Sequence, residues 1–475
     1  MRSLPTVRAL AVPIALAIAL VPLIATADPG QAETTDPATR IDVYMRGRMP
    51  DLRTPGQSVV VVDGDQVIFS RGYGFADREA GTPMTQDTLV QIASANKGMI
   101  ALALMQLVEQ GMVDLEAPVT QYLPEFTVDD ERGADITVRQ VLSHTSGIPA
   151  SGAFESVRDA QGLSREVAAL ADSKLRFAPG TGYEYANAGY AVALLIVQTV
   201  SGMPYDQYLT TRVFEPLRMA RSTFDISTAT QLGLTTSYSK YSGVVSPGPL
   251  APYPTGGVIT SASDVGHYFV ALLNGGTYEG TQVISPTSIA QMWTPEPASG
   301  REAYGFGWGE MNVQGMRLLS HAGDIGAGGG YGSSGSQFLV APDRHLAIGV
   351  LSNMSSLEKA EIAQDTLAIV LGGEPPARPS LPDWRGSTFT PDRDGWAAVT
   401  GDYQTSDGTL RVYREDDKLL GFVADVNLEF IQLSDTTFIT LSNLSALDEV
   451  PAEFQRQPDG SVVLQFVGRP FGTKK

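Results

Sequence analysis

At 475 residues the chain exceeds what one hydrophobic core usually holds, so two domains are expected, and 43% hydrophobic with 18% charged residues marks it as globular. A formal net charge of -19 and a pI near 4.6 argue against nucleic acid and anionic membrane surfaces as partners, since both would repel it, and favour a small neutral or zwitterionic substrate. The chain contains no cysteine, which excludes disulfides, thioether lipidation and every thiol or thiolate–metal mechanism.

Residues 1–27 read as a secretory signal. Arg2 and Arg8 precede an apolar run from Ala9 to Ile24, and Ala25, Thr26 and Ala27 supply small residues at the cleavage point, so cleavage before Asp28 and export from the cytoplasm are expected. Contact with a membrane would then be limited to the signal segment during export. Ile41, Val43, Tyr44 and Met45 suggest the packed face of a first helix. Two β-rich runs, residues 58–62 and 66–69, flank Asp63, Gly64 and Asp65 and predict a hairpin.

After a turn-rich connection over residues 72–88 comes the stretch Gln91 to Gly98, running into the apolar series Met99, Ile100, Leu102, Leu104, Leu107 and Val108. The spacing predicts a buried helix closed by Gly111, with Ser94 and Lys97 in its first turn. Residues three apart share a helix face, so a desolvated Lys97 amine can take the proton of the Ser94 hydroxyl. Unpaired N–H groups at the helix start, that of Ser94 included, can stabilise an oxyanion. Ser-x-x-Lys is a loose pattern and recurs twice. Ser237 to Lys240 lies in a polar, turn-rich stretch, and Ser356 to Lys359 reads as the start of an ordinary surface helix with Ser356 as N-cap.

Residues 115–147 alternate loop, short helix and loop. Helical segments are expected at 164–171, 190–200 and 205–213, strands around 305–308, 317–321, 337–340 and 345–351, and a helix over 357–371. Strands at both ends with helices between predict an α/β sheet whose outer segments lie far apart in sequence, with an all-helical insertion and a cleft between the two. This domain is expected to span residues 28–374. A Pro-rich linker follows at 375–392, and residues 393–475, with alternating runs at 409–413, 419–423, 429–433, 437–441, 452–456 and 461–466, predict a small antiparallel β-domain.

Two further elements carry chemistry. Tyr185 stands two residues before Asn187, so a phenol that can exchange protons lies beside an amide that can hold a substrate carbonyl. Farther on, Ser320-His321-Ala322-Gly323-Asp324 is predicted on a strand that leads into a Gly-rich run over 325–336. Gly323 permits a close backbone approach, and the Asp324 N–H can be the second oxyanion donor, facing that of Ser94.

The set Ser94-x-x-Lys97, Tyr185-x-Asn187 and His321-x-Gly323 resembles the serine β-lactamase-like hydrolases, which include class C β-lactamases, D-Ala-D-Ala carboxypeptidases, D-aminopeptidases and family VIII esterases. Residues 115–126 and 142–147, Gly256-Gly257 and the stretch 261–264 also look familial, and the likeness covers about residues 40–372. It implies the β-lactamase/transpeptidase-like fold: an antiparallel sheet flanked by helices plus an all-helical region. It also implies catalytic Ser94, Lys97 and Tyr185, with Asn187, His321 and Gly323 in the substrate pocket. Where lactamases and D,D-peptidases usually carry a lysine that helps hold the substrate carboxylate, this chain has His321. A histidine is largely neutral at pH 7, so strong β-lactamase activity is not expected.

His144 is expected to be a structural hydrogen-bonder, and His267 and His345 ordinary helix and strand residues. No pair has metal-ligand spacing, no Gly-x-Ser-x-Gly elbow is present, and no metal or organic cofactor is required. The expected function is a secreted serine hydrolase acting on an ester, amide or short peptide through a Ser94 acyl-enzyme. The rival is a penicillin-binding or cell-wall-sensing protein that acylates with little turnover.

Overall fold

The computed structural model describes residues 36–150, 162–241, 244–248, 254–313, 315–325, 333–356, 358–376, 389–405, 408–423, 426–442, 450–466 and 469–474. The expected signal segment, most of the expected Pro-rich linker and the middle of the Gly-rich run lie outside them.

The valine run builds the centre of the main domain. Gly56–Asp63 turns at Gly64 into Gln66–Asp77, with a bulge between Val61 and Val62, as the hairpin pattern predicts. On its other side Gly56–Asp63 pairs with Leu346–Ser352, Val59 opposite Val350, so the two ends of the domain close on each other. The complete antiparallel sheet runs in the order Gly309–Val313, Met316–Ile325, Ser334–Ala341, Leu346–Ser352, Gly56–Asp63, Gln66–Asp77, Thr82–Pro83. Alternate side chains point to opposite faces. Val60 and Val62 join the core of Ala262–Leu273 and the central helices, while Val59 and Val61 pack with Ile41 and Ile362 from the helices Pro37–Arg48 and Glu358–Val370. A sheet covered on both faces explains four consecutive valines without polar alternation.

Three local expectations need correction. In Pro37–Arg48 Ile41 and Met45 are buried and Tyr44 packs beside them half-buried, as expected, whereas Val43 is 65% exposed because it falls on the opposite side of the helix. The stretch 305–308 is a tight turn and not a strand. Gly307 has φ +78, and a Cβ on it would stand 2.7 Å from the Gly98 backbone, so the chain is folded against the central helix there. Ser237 to Lys240 is not turn-rich: Ser237–Tyr241 is a strand paired with Val244–Gly248, and Tyr238 is fully buried with its N–H donating to the Asn353 carbonyl. Pairing with Val244–Gly248, which composition does not reveal, makes the stretch a strand.

The all-helical region centres on Lys97–Glu109, buried from Lys97 to Leu107 and packed on Asn187–Ser201. Such a helix cannot show a polar face, which explains its unbroken apolar series.

The C-terminal region is a closed antiparallel barrel of eight strands: Gly401–Thr405, Gly408–Glu415, Lys418–Val423, Val426–Gln432, Thr437–Ser442, Pro451–Arg456, Val462–Phe466 and Arg469–Lys474. The sequence pattern anticipates six of these. Gly401–Thr405 places only Tyr403 inside, and Arg469–Lys474 contains Pro470, tolerated because the register shifts there between Leu464 and Gln465. The interior is filled with aromatic rings: the centroid of Phe454 lies 5.8 Å from Tyr403 and 5.3 Å from both Phe430 and Phe438. Phe454→Ala should therefore cost about 3–5 kcal/mol of barrel stability, read as faster hydrogen exchange across residues 401–474. Unchanged protection would show that the ring does not hold the barrel together.

Candidate active site

The segment before the nucleophile is tied down on two sides. Val90–Gln91 pairs with Ile259–Thr260, and Ile92 N–H donates to the Val258 carbonyl at 3.0 Å. From the main sheet, Ser334 Oγ donates to the Gln91 carbonyl at 2.8 Å and Ser336 Oγ to that of Ile92 at 2.6 Å. The chain then reverses at Ala93, whose φ of +52 is a left-handed conformation that costs a non-glycine residue about 1–2 kcal/mol. It forms the 3₁₀ turn Ala93–Asn96 and becomes α-helical only at Lys97. Ser94 therefore precedes the helix instead of lying in its first α-turn. Side chains three apart in a 3₁₀ turn eclipse one another, and Lys97 Nζ accordingly lies 3.0 Å from Ser94 Oγ.

Lys97 is fully buried. Its amine donates to Asn187 Oδ1 at 2.6 Å and lies 4.9 and 5.4 Å from the ring centroids of Tyr185 and Tyr190. Burial pulls its pKa down from 10.5 to about 7, against the opposing charge of Glu166. Asn187 opens the helix Asn187–Ser201, so its amide is held by a core element. Glu166, on Gly162–Ala168, escaped the sequence reading because a lone acid on a short helix carries no signal until packing buries it.

Tyr185 shows the opposite titration behaviour. Burial pushes its phenol above the ordinary range, the Asp324 charge adds to this, and a hydrogen bond with Ser94 works against both. His144 secures the same stretch. With φ +60 it accepts the Ala186 N–H on Nδ1 at 3.1 Å, its carbonyl accepts the Glu184 N–H at 3.0 Å, and its ring centroid lies 4.3 Å from that of Tyr185.

His321 is turned inward. Its Nδ1 lies 2.8 Å from the Ala322 carbonyl, which can only accept, so Nδ1 carries the proton and Nε2 accepts from the Tyr304 hydroxyl at 3.0 Å. Burial, then the Lys97 charge, lowers its pKa from 6.5 to about 3. Both ring nitrogens are thus engaged and the ring is neutral. Tyr304 was not anticipated; its only signal is an aromatic residue at the head of the glycine-rich turn 305–308.

Gly323 is required by contact. A Cβ on it would lie 2.0 Å from the Ile92 carbonyl oxygen, so this strand runs directly against the turn of Ser94. Pairing with Gly309–Val313 ends at Ser320, which leaves residues 321–325 as an open edge carrying Asp324. The Asp324 carboxylate accepts from Lys359 Nζ at 2.7 Å and from Ser355 Oγ. Lys359 is 3% exposed, so Ser356 to Lys359 does not open an ordinary surface helix. No three His, Asp or Glu side chains converge as a metal site among the described residues. Gly323→Ala should shift the turn by about an ångström and reduce fluorophosphonate labelling of Ser94 on the order of 100-fold. Labelling at the natural rate in a folded variant would show that the close approach is not needed.

Residues 41–372 match the Beta-lactamase family. Protein flp of Staphylococcus aureus (strain MW2) is 27% identical over 330 residues, 68% of this chain and 64% of flp. Esterase EstB of Burkholderia gladioli is 33% identical over 197 residues, 38% of this chain and 50% of EstB. The chain therefore spans less than two thirds of the length of either relative. The octameric penicillin-binding protein homologue from Pyrococcus abyssi superposes with a TM-score of 0.62 at 25% identity, covering 92% of this chain and 99% of that one. EstCE1, a hydrolase with promiscuous acyltransferase activity, shares the fold, with a TM-score of 0.59 at 22% identity over 70% of this chain and 98% of its own. With the family match spanning well over half of its length and the fold shared throughout, the chain belongs to the β-lactamase family, in the serine β-lactamase-like superfamily.

Proposed function

We propose that this protein is a serine hydrolase that opens an ester or amide bond through an acyl-enzyme on Ser94. The observation that carries the reading is the buried Lys97 amine, 3.0 Å from Ser94 Oγ and with its pKa lowered to about 7. In its neutral form, with N–H donated to Asn187, the amine has a lone pair for the Ser94 proton. Oγ then adds to the substrate carbonyl, and the Ser94 and Asp324 amides receive the oxyanion. On collapse, Tyr185, kept protonated by its burial, gives its proton to the leaving alkoxide or amine and regains one from Lys97. Water then attacks the acyl carbonyl, its proton passing to Tyr185 as Tyr185 hands its own to Lys97, and Lys97 returns a proton to Ser94 Oγ as the acyl bond breaks.

The substrate class follows from what surrounds the carbonyl. His321 is neutral and spends both nitrogens on Tyr304 and Ala322, so it offers no cation to a substrate carboxylate. This favours a neutral ester, an amide or an aminopeptide over a β-lactam or a peptide C-terminus. The name of EstB supports the esterase side of the choice. The likeness to a penicillin-binding protein homologue favours a second reading, in which the protein acylates and turns over poorly. The signal-like pattern of residues 1–27 supports an exported protein on either reading.

Turnover of p-nitrophenyl butyrate supports the hydrolase, whereas one stoichiometric burst supports the sensor. Ser94→Ala should abolish covalent labelling by a fluorophosphonate, while Ser237→Ala and Ser356→Ala leave it intact. Persistent labelling of the Ser94 variant would overturn the assignment. The pH profile tests the base. Protonated Lys97 has no lone pair, so kcat/KM should fall about tenfold per pH unit below about 7 and level off above it, with no descending limb near neutrality because Tyr185 remains protonated. A rate that is flat from pH 5 to 8 would exclude Lys97 as the base.

A further inference from the structure

The third Ser-x-x-Lys is unused by this reaction, yet its lysine reaches the site from behind. Lys359 is the second residue of Glu358–Val370, and its stem runs beside Gly335, where a Cβ would stand 3.0 Å from Lys359 Cδ. The ammonium lies 2.7 Å from Asp324 Oδ1 and 2.7 Å from the Ser356 carbonyl, and Ser355 Oγ donates to the same carboxylate oxygen. The side chains are 4% and 29% exposed, so the pair is poorly screened by solvent on the lysine side.

The position of the anion makes the pair consequential. Asp324 follows Gly323 on the open strand edge, and its amide is the second oxyanion donor of the proposed reaction. A carboxylate on that residue opposes negative charge growing on the substrate oxygen, because like charges in a partly buried site repel strongly. Its influence extends to the Tyr185 phenol, which the same charge raises. The carboxylate nevertheless ties the strand end to Ser355 and the following helix.

We propose that Lys359 is a positioning residue that cancels the charge of Asp324, so that the strand edge offers its amide to the oxyanion without a net negative charge behind it. The proposal rests on the hydrolase reading of Ser94. Charge compensation acts where charge develops, so it lowers the barrier to acylation and leaves substrate binding nearly untouched.

A double-mutant cycle on the full chain, read as hydrolysis of p-nitrophenyl butyrate, tests it. Lys359→Met should lower kcat about tenfold to a hundredfold with KM nearly constant, but less than about threefold in the Asp324→Asn background, where no anion needs cancelling. Lys359→Arg, which keeps the charge in a different shape, should stay within about threefold of the natural rate. Equal losses from Lys359→Met in both backgrounds, or a Lys359→Arg as impaired as Lys359→Met, would reduce Lys359 to packing and overturn the proposal. Should Lys359→Met alone fail to fold, the double variant decides: a folded double within about threefold of Asp324→Asn supports compensation, and one tenfold or more below it refutes compensation. A natural protein that neither turns over the ester nor labels at Ser94 overturns the hydrolase reading and this proposal with it. Failed compensation in an active protein overturns the proposal alone.

Discussion

The structure depends on keeping one amine out of water. An ammonium at full burial is far less stable than in solvent, and the protein settles this by lowering the Lys97 pKa to about 7 instead of supplying a close carboxylate. The immediate partners are the Ser94 hydroxyl, an amide oxygen and two tyrosine rings, each of which accepts an amine without demanding its proton. Glu166 acts through its field and moderates the shift. A direct carboxylate contact would hold the ammonium form and remove the base. The choice of Asn187 over an acid at that position is thus a condition of the chemistry.

Holding such an amine beside a hydroxyl requires elements from distant parts of the chain to meet without gaps, and glycine makes this possible at two points. Gly323 lets the strand Met316–Ile325 lie on the Ile92 carbonyl, and Gly307 lets the turn after Tyr304 lie on Gly98, at the start of the Lys97 helix. The two contacts grip the turn Ala93–Asn96 and the helix start from the sheet side, and Asn187 meets Lys97 from the helical side. The left-handed φ of Ala93 persists because Ser334, Ser336 and Val258 fix the residues just before it.

Much of this was legible in the sequence because it depends on local pattern. The valine hairpin and the apolar helix behind Lys97 are short-range signals, and both appear in the structure, although the second hairpin strand runs on to Asp77 through the first part of the stretch expected to be turn-rich. The strand wrongly expected at 305–308 and the missed strand at Ser237–Tyr241 share a cause: each is decided by what the segment packs on, Gly98 in one case and Asn353 in the other. Tyr304, Glu166 and Lys359 escaped for the same reason. Each is an unremarkable residue in its own segment and gains a role only from a partner 17 or more positions away: Tyr304 from His321, Glu166 from Lys97, Lys359 from Asp324. The barrel strand Gly401–Thr405 shows the limit of binary pattern, since one inward tyrosine is enough when seven other strands complete the closure.

The titratable groups around Ser94 fit a single account. His321 is held neutral by burial and by the charge of Lys97, Asp324 is matched by Lys359, and Tyr185 is held in its phenol form. One group, Lys97, is left to titrate near neutrality. This matters because coupled sites titrate as a set, and a second group changing charge near pH 7 would shift the amine as it did so. With His321 and Tyr185 each held in its uncharged form, the pKa of Lys97 is set mainly by burial, moderated by Glu166, so a neutral amine is available near pH 7 where a hydroxyl must lose its proton. A cation kept at His321 for carboxylate binding would lower that pKa further and weaken the amine as a base. Exchanging it for a locked neutral ring therefore gives up a substrate handle in return for a base of matched strength, and this links the departure at the third motif to the chemistry at the first.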